Sequence, residues 1–284
     1  MAGSIFRFAP SPNGRLHLGH AYSALFTAQQ AKIHGGKFLL RIEDIDRARC
    51  KPEFAEDAQA DLQWLGLDWP QPVRHQSRHL HEYTVVIDRL ERLGLLYPCF
   101  CTRAKLSTVQ GRKDPDGTTI YPGYCRLMTK PDRSRRMTAA EPYALRLDMA
   151  KAIVAAGSDL SFHESGCGPD REAGTVTCAP QLWGDVVLAR KDIATSYHVA
   201  VVHDDAVQGV THITRGLDLF HATSVHRVLQ SILEFPTPAY IHHKLISDDS
   251  GRKLSKSLGD RSIAALRDEG VTPDMIRVYL GFQD

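Results

Sequence analysis

Apolar residues near the start of the chain change from strand-like to helix-like spacing. A short strand pattern ends at Phe8, and the Pro/Gly-rich segment 9–14 interrupts it. From Leu18 onward, apolar residues recur at helical intervals until Gly35. A helix N-terminus is therefore expected at the carboxyl end of a strand. Its free N–H groups and positive dipole end favour an anionic group such as phosphate.

The same alternation continues over the first hundred residues. Residues 37–42 form a strongly apolar run, which predicts a buried strand. Pro52 opens a helical pattern that Gly66 ends, and a second helical stripe over 83–93 stops at Gly94. This strand–helix order predicts an α/β protein with a doubly wound parallel sheet.

The second half of the chain breaks and then resumes this pattern. Residues 193–202 read as a buried strand, 210–214 as a further strand, and 225–232 as an amphipathic helix. We expect four segments: the first half of a catalytic domain over 1–98, an inserted subdomain over 99–195, the second half over 196–235, and a short C-terminal helical segment over 236–284.

Composition narrows the class of protein. The 284 residues are 43% hydrophobic and 24% charged, which predicts a soluble globular chain. The net charge of +2 gives no general affinity for nucleic acid, so RNA contacts would come from local clusters such as Arg133, Arg135 and Arg136. No bilayer-length apolar run or signal pattern stands out, and six unevenly spaced cysteines suit a reducing compartment. We therefore expect a cytoplasmic protein that does not contact membranes.

Two short motifs carry candidate chemistry. In His17-Leu-Gly-His20 the histidines lie three residues apart, on one face of the first helical turn, and Gly19 allows a flat group close to the backbone. This arrangement suits a nucleotide, although two solvated histidines and a packing glycine would give the same letters. The second motif is Lys253-Leu-Ser-Lys-Ser257, which alone also fits an exposed basic loop.

In this order the two motifs resemble the signatures of class I aminoacyl-tRNA synthetases. The segments Arg7–Ser11, Arg41–Asp46 and Ile213–Gly216 narrow the resemblance to the glutamyl/glutaminyl branch. It implies a Rossmann-like catalytic domain that uses ATP with Mg as a substrate. It also implies catalytic roles for His17, His20, Lys253 and Lys256, and ATP binding by His17, Gly19, His20 and Lys256.

The resemblance also implies a glutamate site. Spacing alone favours a solvated loop acid at Glu43, whereas in this branch the equivalent acid pairs with the substrate ammonium. Two arginines near a glutamate would suit an amino acid with two carboxylates and one ammonium group. The residues assigned to glutamate in this way are Arg7, Ala9, Ser11, Glu43, Tyr197 and Arg215.

Three cysteines suggest a metal site. Cys99, Cys101 and Cys125 offer three thiolates, and tetrahedral zinc needs a fourth ligand, so the residues alone leave buried free thiols as an alternative. The resemblance implies a zinc knuckle in which Tyr121 completes the set, with one structural zinc per chain. The interval between Cys101 and Tyr121 is longer than is usual in the family, which leaves the path of that loop open.

The resemblance covers nearly the whole chain but only the catalytic half of glutamyl-tRNA synthetases, so no anticodon-binding domain is expected. It is strongest to the glutamyl-queuosine synthetases, which attach glutamate to queuosine in the anticodon loop of tRNA(Asp), and a monomer is expected. Alternatives are a glutamyl-tRNA synthetase fragment that charges a terminal ribose and a nucleotidyltransferase with a small-molecule acceptor. A non-catalytic RNA-binding paralogue would be expected to lack His17, His20 or Lys256, and all three are present.

The second motif generates a testable prediction. Replacing Lys256 with Ala should slow glutamate-dependent ATP–pyrophosphate exchange by roughly 10²–10³, because one charge-assisted contact to the reacting phosphates is lost. The KM for glutamate should change little. Exchange at the wild-type rate would contradict the assignment of Lys256 to the phosphates.

Overall fold

The computed structural model describes residues 3–157, 159–247 and 261–282, so Lys253 and Lys256 lie outside the described residues. The strands in this part of the chain are β1 Ile5–Phe8, β2 Lys37–Ile42, β3 Arg74–His75, β4 Leu96–Cys99, β5 Ala144–Leu147, β6 Ser161–Glu164, β7 Gly174–Thr177, β8 Val187–Ala189, β9 His212–Gly216 and β10 Ala239–His243. The helices are α1 Leu18–Ile33, α2 Pro52–Trp64, α3 Leu80–Arg92, α4 Arg103–Ser107, α5 Lys130–Thr138, α6 Met149–Ala156, α7 Tyr197–Val207, α8 Thr223–Leu233, α9 Ile263–Asp268 and α10 Pro273–Leu280. None of these helices is long and apolar enough to cross a bilayer.

A seven-stranded sheet forms the centre of the protein, in the order β3-β2-β1-β9-β10-β6-β7. The neighbours are parallel except at the β6–β7 edge, which is antiparallel. Helices from the first hundred residues begin and end close to their predicted Pro and Gly boundaries. The predicted α/β fold is therefore confirmed, with a sheet that is mostly parallel.

Two large apolar clusters hold the helices, one against the seven-stranded sheet and the other against β5 and β8. The first joins α1 and α2 to β1 and β2, and Phe6, Leu25 and Leu62 are buried within it. The second joins α3, α7 and α8, where Leu90 and Val228 are completely buried. The first cluster therefore fixes β1 and β2, whose carboxyl ends carry part of the candidate site.

Between β3 and β9 the chain builds a smaller sheet and also contributes β6 and β7 to the edge of the large one. Strands β4, β5 and β8 pair antiparallel in the order β4-β5-β8. A separate apolar cluster around Tyr97, Phe100 and Tyr121 packs beside β4. Before β8, Pro180–Leu182 forms a 3-10 turn, so strand structure in this stretch is limited to Val187–Ala189.

The buried strand predicted over residues 193–202 is wrong, since Tyr197–Val207 forms helix α7. The prediction rested on a short run of Val and Ala that is apolar on every side, and such a run fits a buried helix as well as a buried strand. The helix buries this run and also buries Asp204 and Asp205. Those two carboxylates pair with arginines from the sheet, which a strand prediction could not reveal.

One buried acid in the fold generates a prediction about stability. Asp61 of α2 is 1% exposed, its Oδ2 atom has no hydrogen-bond partner among the described residues, and its Oδ1 atom lies 3.7 Å from Nη1 of Arg267. Burial raises the pKa of Asp61 to about 6. The folded protein therefore binds more protons than the unfolded chain between about pH 4 and 6, and stability falls as the pH rises through that window.

Asp61→Asn should accordingly raise the free energy of unfolding at pH 8, by about 1–2 kcal/mol, and should have little effect near pH 4. Urea unfolding at the two pH values measures the difference. Asp57→Asn, on the same helix but in an exposed ion pair with Arg15, is the control and should change stability little at either pH. An equal effect of Asp61→Asn at both pH values would contradict the explanation.

Candidate active site

The topology places a crevice at the carboxyl ends of β1 and β9. The chain leaves β1 towards β2 on one side, while β9 pairs with β1 on the other side. Ligands of doubly wound sheets bind outside such a switch point. The loop after β1, Glu43 after β2 and Arg215 in β9 all reach this edge, and the backbone N–H of Glu43 donates to the Pro10 carbonyl at 3.0 Å.

The two histidines of the first motif cap helix α1 reciprocally. His17 is the N-cap residue and its Nδ1 atom accepts from the Gly19 N–H at 3.1 Å, while Nδ1 of His20 accepts from the His17 N–H at 3.2 Å. This is a capping box built from imidazoles. Because both Nδ1 atoms accept, each neutral ring carries its proton on Nε2. Both imidazoles are thereby held in fixed orientations at a helix N-terminus.

Gly19 is required by the same geometry. A Cβ atom at this position would lie 2.9 Å from Cε1 of His17. The flat group that approaches this backbone is therefore the His17 ring itself, and the expected external ligand is not needed to explain the glycine. The chain after the second motif returns here as well, since Ser262 bridges to His17 and the Ile263 N–H donates to the Leu16 carbonyl at 2.8 Å.

A cavity of about 750 Å³ opens at this edge of the sheet. Ser11, Glu43 and Tyr197 line one part of it, and Tyr121 and Arg146 from the inserted segment line another part. Its volume is in the range of small-molecule sites. Of the other residues predicted to bind glutamate, Ala9 is half-buried directly after β1, and Arg7 and Arg215 are buried.

Arg7 is held by an acid that the sequence did not single out. Its Nε atom donates to Oδ1 of Asp205 at 2.9 Å, and the same oxygen accepts from Nη1 of Arg41 at 2.7 Å. Nη2 of Arg41 also donates to Oε1 of Glu43 at 3.1 Å. Although burial opposes it, Arg7 and Arg41 hold the pKa of Asp205 below its usual range. Burial has the larger effect at Glu43 and raises its pKa.

Arg215 has different surroundings. Its Nε atom donates to Nε2 of His242 at 3.1 Å, Nη1 lies 3.1 Å from Nδ1 of His226, and Nη2 donates to the Thr223 hydroxyl. No ion pair between described residues includes Arg215. All of these acceptors are neutral groups, because Arg is always a donor and each facing ring nitrogen must be unprotonated. Its buried charge is therefore not paired with a carboxylate of the described chain.

Tyr197, the first residue of α7, lies near these groups: its ring centroid is 5.6 Å from that of His226, a partner of Arg215, and it lines the cavity together with Glu43. Burial raises the pKa of Tyr197, and the charges of Arg215, Glu43 and Arg7 all act on it. The predicted glutamate residues from four separate segments therefore lie around one part of the crevice. The structure brings them together, while their individual roles stay predictions.

The three predicted cysteine ligands also meet. The Sγ atoms of Cys99, Cys101 and Cys125 lie within 4.8 Å of one another, and the Cys101–Cys125 separation is 3.7 Å. The Tyr121 hydroxyl lies 3.6 Å from Sγ of Cys101 and accepts from the Cys125 N–H at 2.8 Å. The Arg146 guanidinium stacks 3.9 Å above the Tyr121 ring. This cluster could hold a metal ion.

Sequence reasoning missed the residues that surround the arginines: Arg41, Glu164, Asp205, His226 and His242. Arg41 is part of a quoted motif, but its partners lie 164 positions away in Asp205 and two positions away in Glu43. Among these residues, only Asp205, which with Asp204 follows the apolar run over residues 199–202, could have been found from the sequence. Read as a helix with Ser196 as its N-cap, that segment would have turned Asp204 and Asp205 towards the sheet.

Comparison with known proteins agrees with this geometry. The family described as tRNA synthetases class I (E and Q), catalytic domain, matches residues 5–282. The chain is 45% identical to a glutamyl-Q tRNA(Asp) synthetase of Rhodobacter capsulatus, covering 98% of this chain and 99% of that protein. It is 40% identical to the protein of the same name from Nitratidesulfovibrio vulgaris, covering 96% and 84% of the two chains.

A solved structure supports the same fold. The crystal structure of a glutamate-tRNA synthetase from Elizabethkingia anophelis superposes with a TM-score of 0.73 at 26% identity. The match covers 90% of this chain and 53% of that one, so the chain spans about half the length of that enzyme. With its switch-point crevice, its capped histidine turn and a family match from β1 to the end of α10, the chain belongs to the class I tRNA synthetases (E and Q) and carries their catalytic domain.

Proposed function

We propose that the protein activates glutamate with ATP and transfers the glutamyl group to queuosine in the anticodon loop of tRNA(Asp). The observation that carries the proposal is the similarity, along nearly the full length of both chains, to a relative named for this activity. The site supplies chemistry that agrees with it. Activation needs an amino-acid site next to a phosphate site, and we assign both to the sheet edge where the first turn of α1 follows β1.

Glutamate suits the charges of the crevice. Arg215 is a buried cation without a carboxylate partner among the described residues, and an unpaired buried charge is costly until an anion arrives. Glu43 lines the cavity and would bind the ammonium group. Arg7 is already paired with Asp205, so we assign the stronger carboxylate contact to Arg215 and a supporting one to Arg7. Ala9, Ser11 and Tyr197 complete the proposed pocket.

The phosphates of ATP would lie against the first turn of α1. The capping box sets the orientation of the His17 and His20 rings, and Gly19 permits the packing of the His17 ring. Lys253 and Lys256 lie outside the described residues, but the chain that follows them is anchored beside His17 through Ser262. Donors placed in advance around a reacting phosphate lower its barrier without reorganisation.

The reaction would proceed in two steps. The α-carboxylate of glutamate attacks the α-phosphorus of Mg-ATP, forming glutamyl-adenylate and releasing pyrophosphate. A hydroxyl of the queuosine cyclopentene ring then attacks the activated carbonyl carbon, which forms an ester and releases AMP and the hydroxyl proton. No covalent bond to the protein is needed. The chain contributes position and charge, as is usual for transfer at phosphate.

The acceptor would enter the wide cavity rather than the arginine pocket. Its far wall comes from the inserted segment and includes Tyr121 and Arg146. Sequence-specific proteins generally recognise RNA at unstacked loop bases, which can be splayed into such a cavity. A modified anticodon base therefore fits a single catalytic crevice.

The acceptor generates a prediction that separates this function from charging of a terminal ribose. Labelled glutamate should be transferred to queuosine-containing tRNA(Asp) and not to queuosine-free tRNA(Asp) or tRNA(Glu). After nuclease digestion the label should map to the anticodon fragment. Label on the terminal adenosine, or equal labelling of both tRNA(Asp) forms, would instead favour an ordinary glutamyl-tRNA synthetase activity.

We also propose that the cysteine cluster holds one structural zinc ion, with Tyr121 as its fourth ligand. In a tetrahedral site with Zn–S bonds of about 2.3 Å, two sulfurs lie about 3.8 Å apart. The Cys101–Cys125 separation of 3.7 Å agrees with that value. The Arg146 charge next to Tyr121 would offset the negative charge of three thiolates. Zinc would thereby stabilise the inserted wall of the cavity.

Metal analysis tests this site. The purified protein should contain about one zinc per chain, and Cys125→Ser should release it because a thiolate ligand is lost. Limited proteolysis should then cut faster within residues 99–125, while the strands of the seven-stranded sheet resist. Cys178→Ser is the matched control, since Cys178 packs in another cluster, and it should retain zinc. A wild-type protein that binds no zinc would leave the cysteines as buried thiols.

A further inference from the structure

Three buried side chains on adjacent strands form a hydrogen-bonded relay that ends at Arg215. Glu164 ends β6, His242 lies in β10 and Arg215 lies in β9, and these strands are neighbours in the sheet. Oε2 of Glu164 is 2.5 Å from Nδ1 of His242, and Nε2 of His242 is 3.1 Å from Nε of Arg215. His242 and Arg215 are direct register partners. All three residues are at most 5% exposed.

The donor and acceptor atoms of this relay allow only one arrangement of protons. The Arg215 guanidinium donates from every nitrogen, so the facing Nε2 atom of His242 must be an acceptor. The proton of the neutral imidazole is then on Nδ1 and is donated to Glu164. Burial lowers the pKa of His242 to about 4, which agrees with a neutral ring. Burial alone would raise the pKa of the Glu164 carboxyl group, but the hydrogen bonds from His242 lower this pKa below its usual range.

Glu164 is itself held in a fixed orientation. Its Oε1 atom accepts from the backbone N–H of His242 at 2.9 Å and from the backbone N–H of Gly166 at 2.8 Å. This leaves Oε2 for the imidazole. The negative charge is therefore one ring away from Arg215, close enough to orient the ring without pairing directly with the guanidinium.

The other side of Arg215 follows the same rule. Nδ1 of His226 accepts from Nη1, so its Nε2 atom carries the proton and lies 3.2 Å from Nδ1 of His198, a residue of the cavity lining. The groups that accept hydrogen bonds from Arg215 are thus two neutral imidazoles and the Thr223 hydroxyl. Arg7 is the contrasting case, because Asp205 contacts its guanidinium directly.

We propose that Glu164 is a positioning residue for amino-acid recognition: it fixes the proton of His242 on Nδ1, and His242 thereby holds Arg215 in place with its charge available for a substrate carboxylate. The inference rests on the proposed function and deepens it. It assigns specificity for an acidic amino acid to a hydrogen-bonded relay across β6, β10 and β9, in addition to the arginine itself.

Glu164→Gln tests the relay with almost no change of shape. The amide oxygen must accept from the two backbone N–H groups, which turns the amide NH₂ towards Nδ1 of His242. The imidazole proton then moves to Nε2, where it faces the Nε–H of Arg215. Two donors cannot share this contact, so Arg215 should leave its position.

In ATP–pyrophosphate exchange, Glu164→Gln should raise the KM for glutamate roughly 10- to 100-fold, as is typical when the partner that orients a binding group is lost. The KM for ATP and the melting temperature should change little. Glu172→Gln, in the connection between β6 and β7, is the matched control and should leave both KM values unchanged. Parallel increases in both KM values with a lower melting temperature, or an unchanged KM for glutamate, would overturn the inference.

A spectroscopic measurement on the wild-type protein keeps the inference testable if the variant does not fold. The ¹⁵N chemical shifts of His242 at pH 7 should be those of a neutral ring protonated on Nδ1, and in Glu164→Gln those of a ring protonated on Nε2. An Nε2-protonated or cationic ring in the wild type would contradict the relay. Wild-type protein without glutamate-dependent exchange would refute the proposed function itself, and the positioning role would fall with it.

Discussion

A single buried carboxylate, Asp205, links helix α7 to strands β1 and β2 of the large sheet. Its Oδ1 atom accepts from Arg7 of β1 and from Arg41 of β2, at 2.9 and 2.7 Å. Breaking such a pair would leave charges uncompensated in the interior, so the position of α7 relative to the sheet is strongly specified. Tyr197 at the start of the same helix is thereby fixed at the cavity.

Because of this constraint, the two arginines that were predicted to bind carboxylates have different surroundings. Arg7 has its charge balanced by Asp205 and serves the architecture of the crevice, whereas Arg215 has only neutral acceptors around it. An anionic ligand gains more binding free energy at an arginine that has no carboxylate partner in the described chain. The resemblance to the family assigned the same role to both residues, and the hydrogen bonds distinguish them.

Local signals in the sequence were sufficient to predict much of the fold. They did not predict the contacts between residues that are distant in the sequence. Gly and Pro boundaries identified α1, α2 and α3, since these residues act through their own backbone geometry. The segment of α7 was misread because a four-residue apolar run has no distinguishing period. The partners of Arg7 and Arg215 could not be predicted, because 198 positions separate Arg7 from Asp205 and the pairing depends on the complete sheet order.

The cavity has walls of different origin, and this explains how one crevice could serve activation and transfer. The sheet edge contributes Glu43 and the loop after β1, which are fixed by strand pairing and by the capped turn at His17. The opposite wall contains Tyr121, whose hydroxyl contacts the cysteine cluster rather than the sheet. Because the two walls depend on separate apolar clusters, the inserted wall could change its contacts without disturbing the charges that are predicted to recognise the amino acid. Such separation is what a shared catalytic scaffold needs in order to accept different RNA segments.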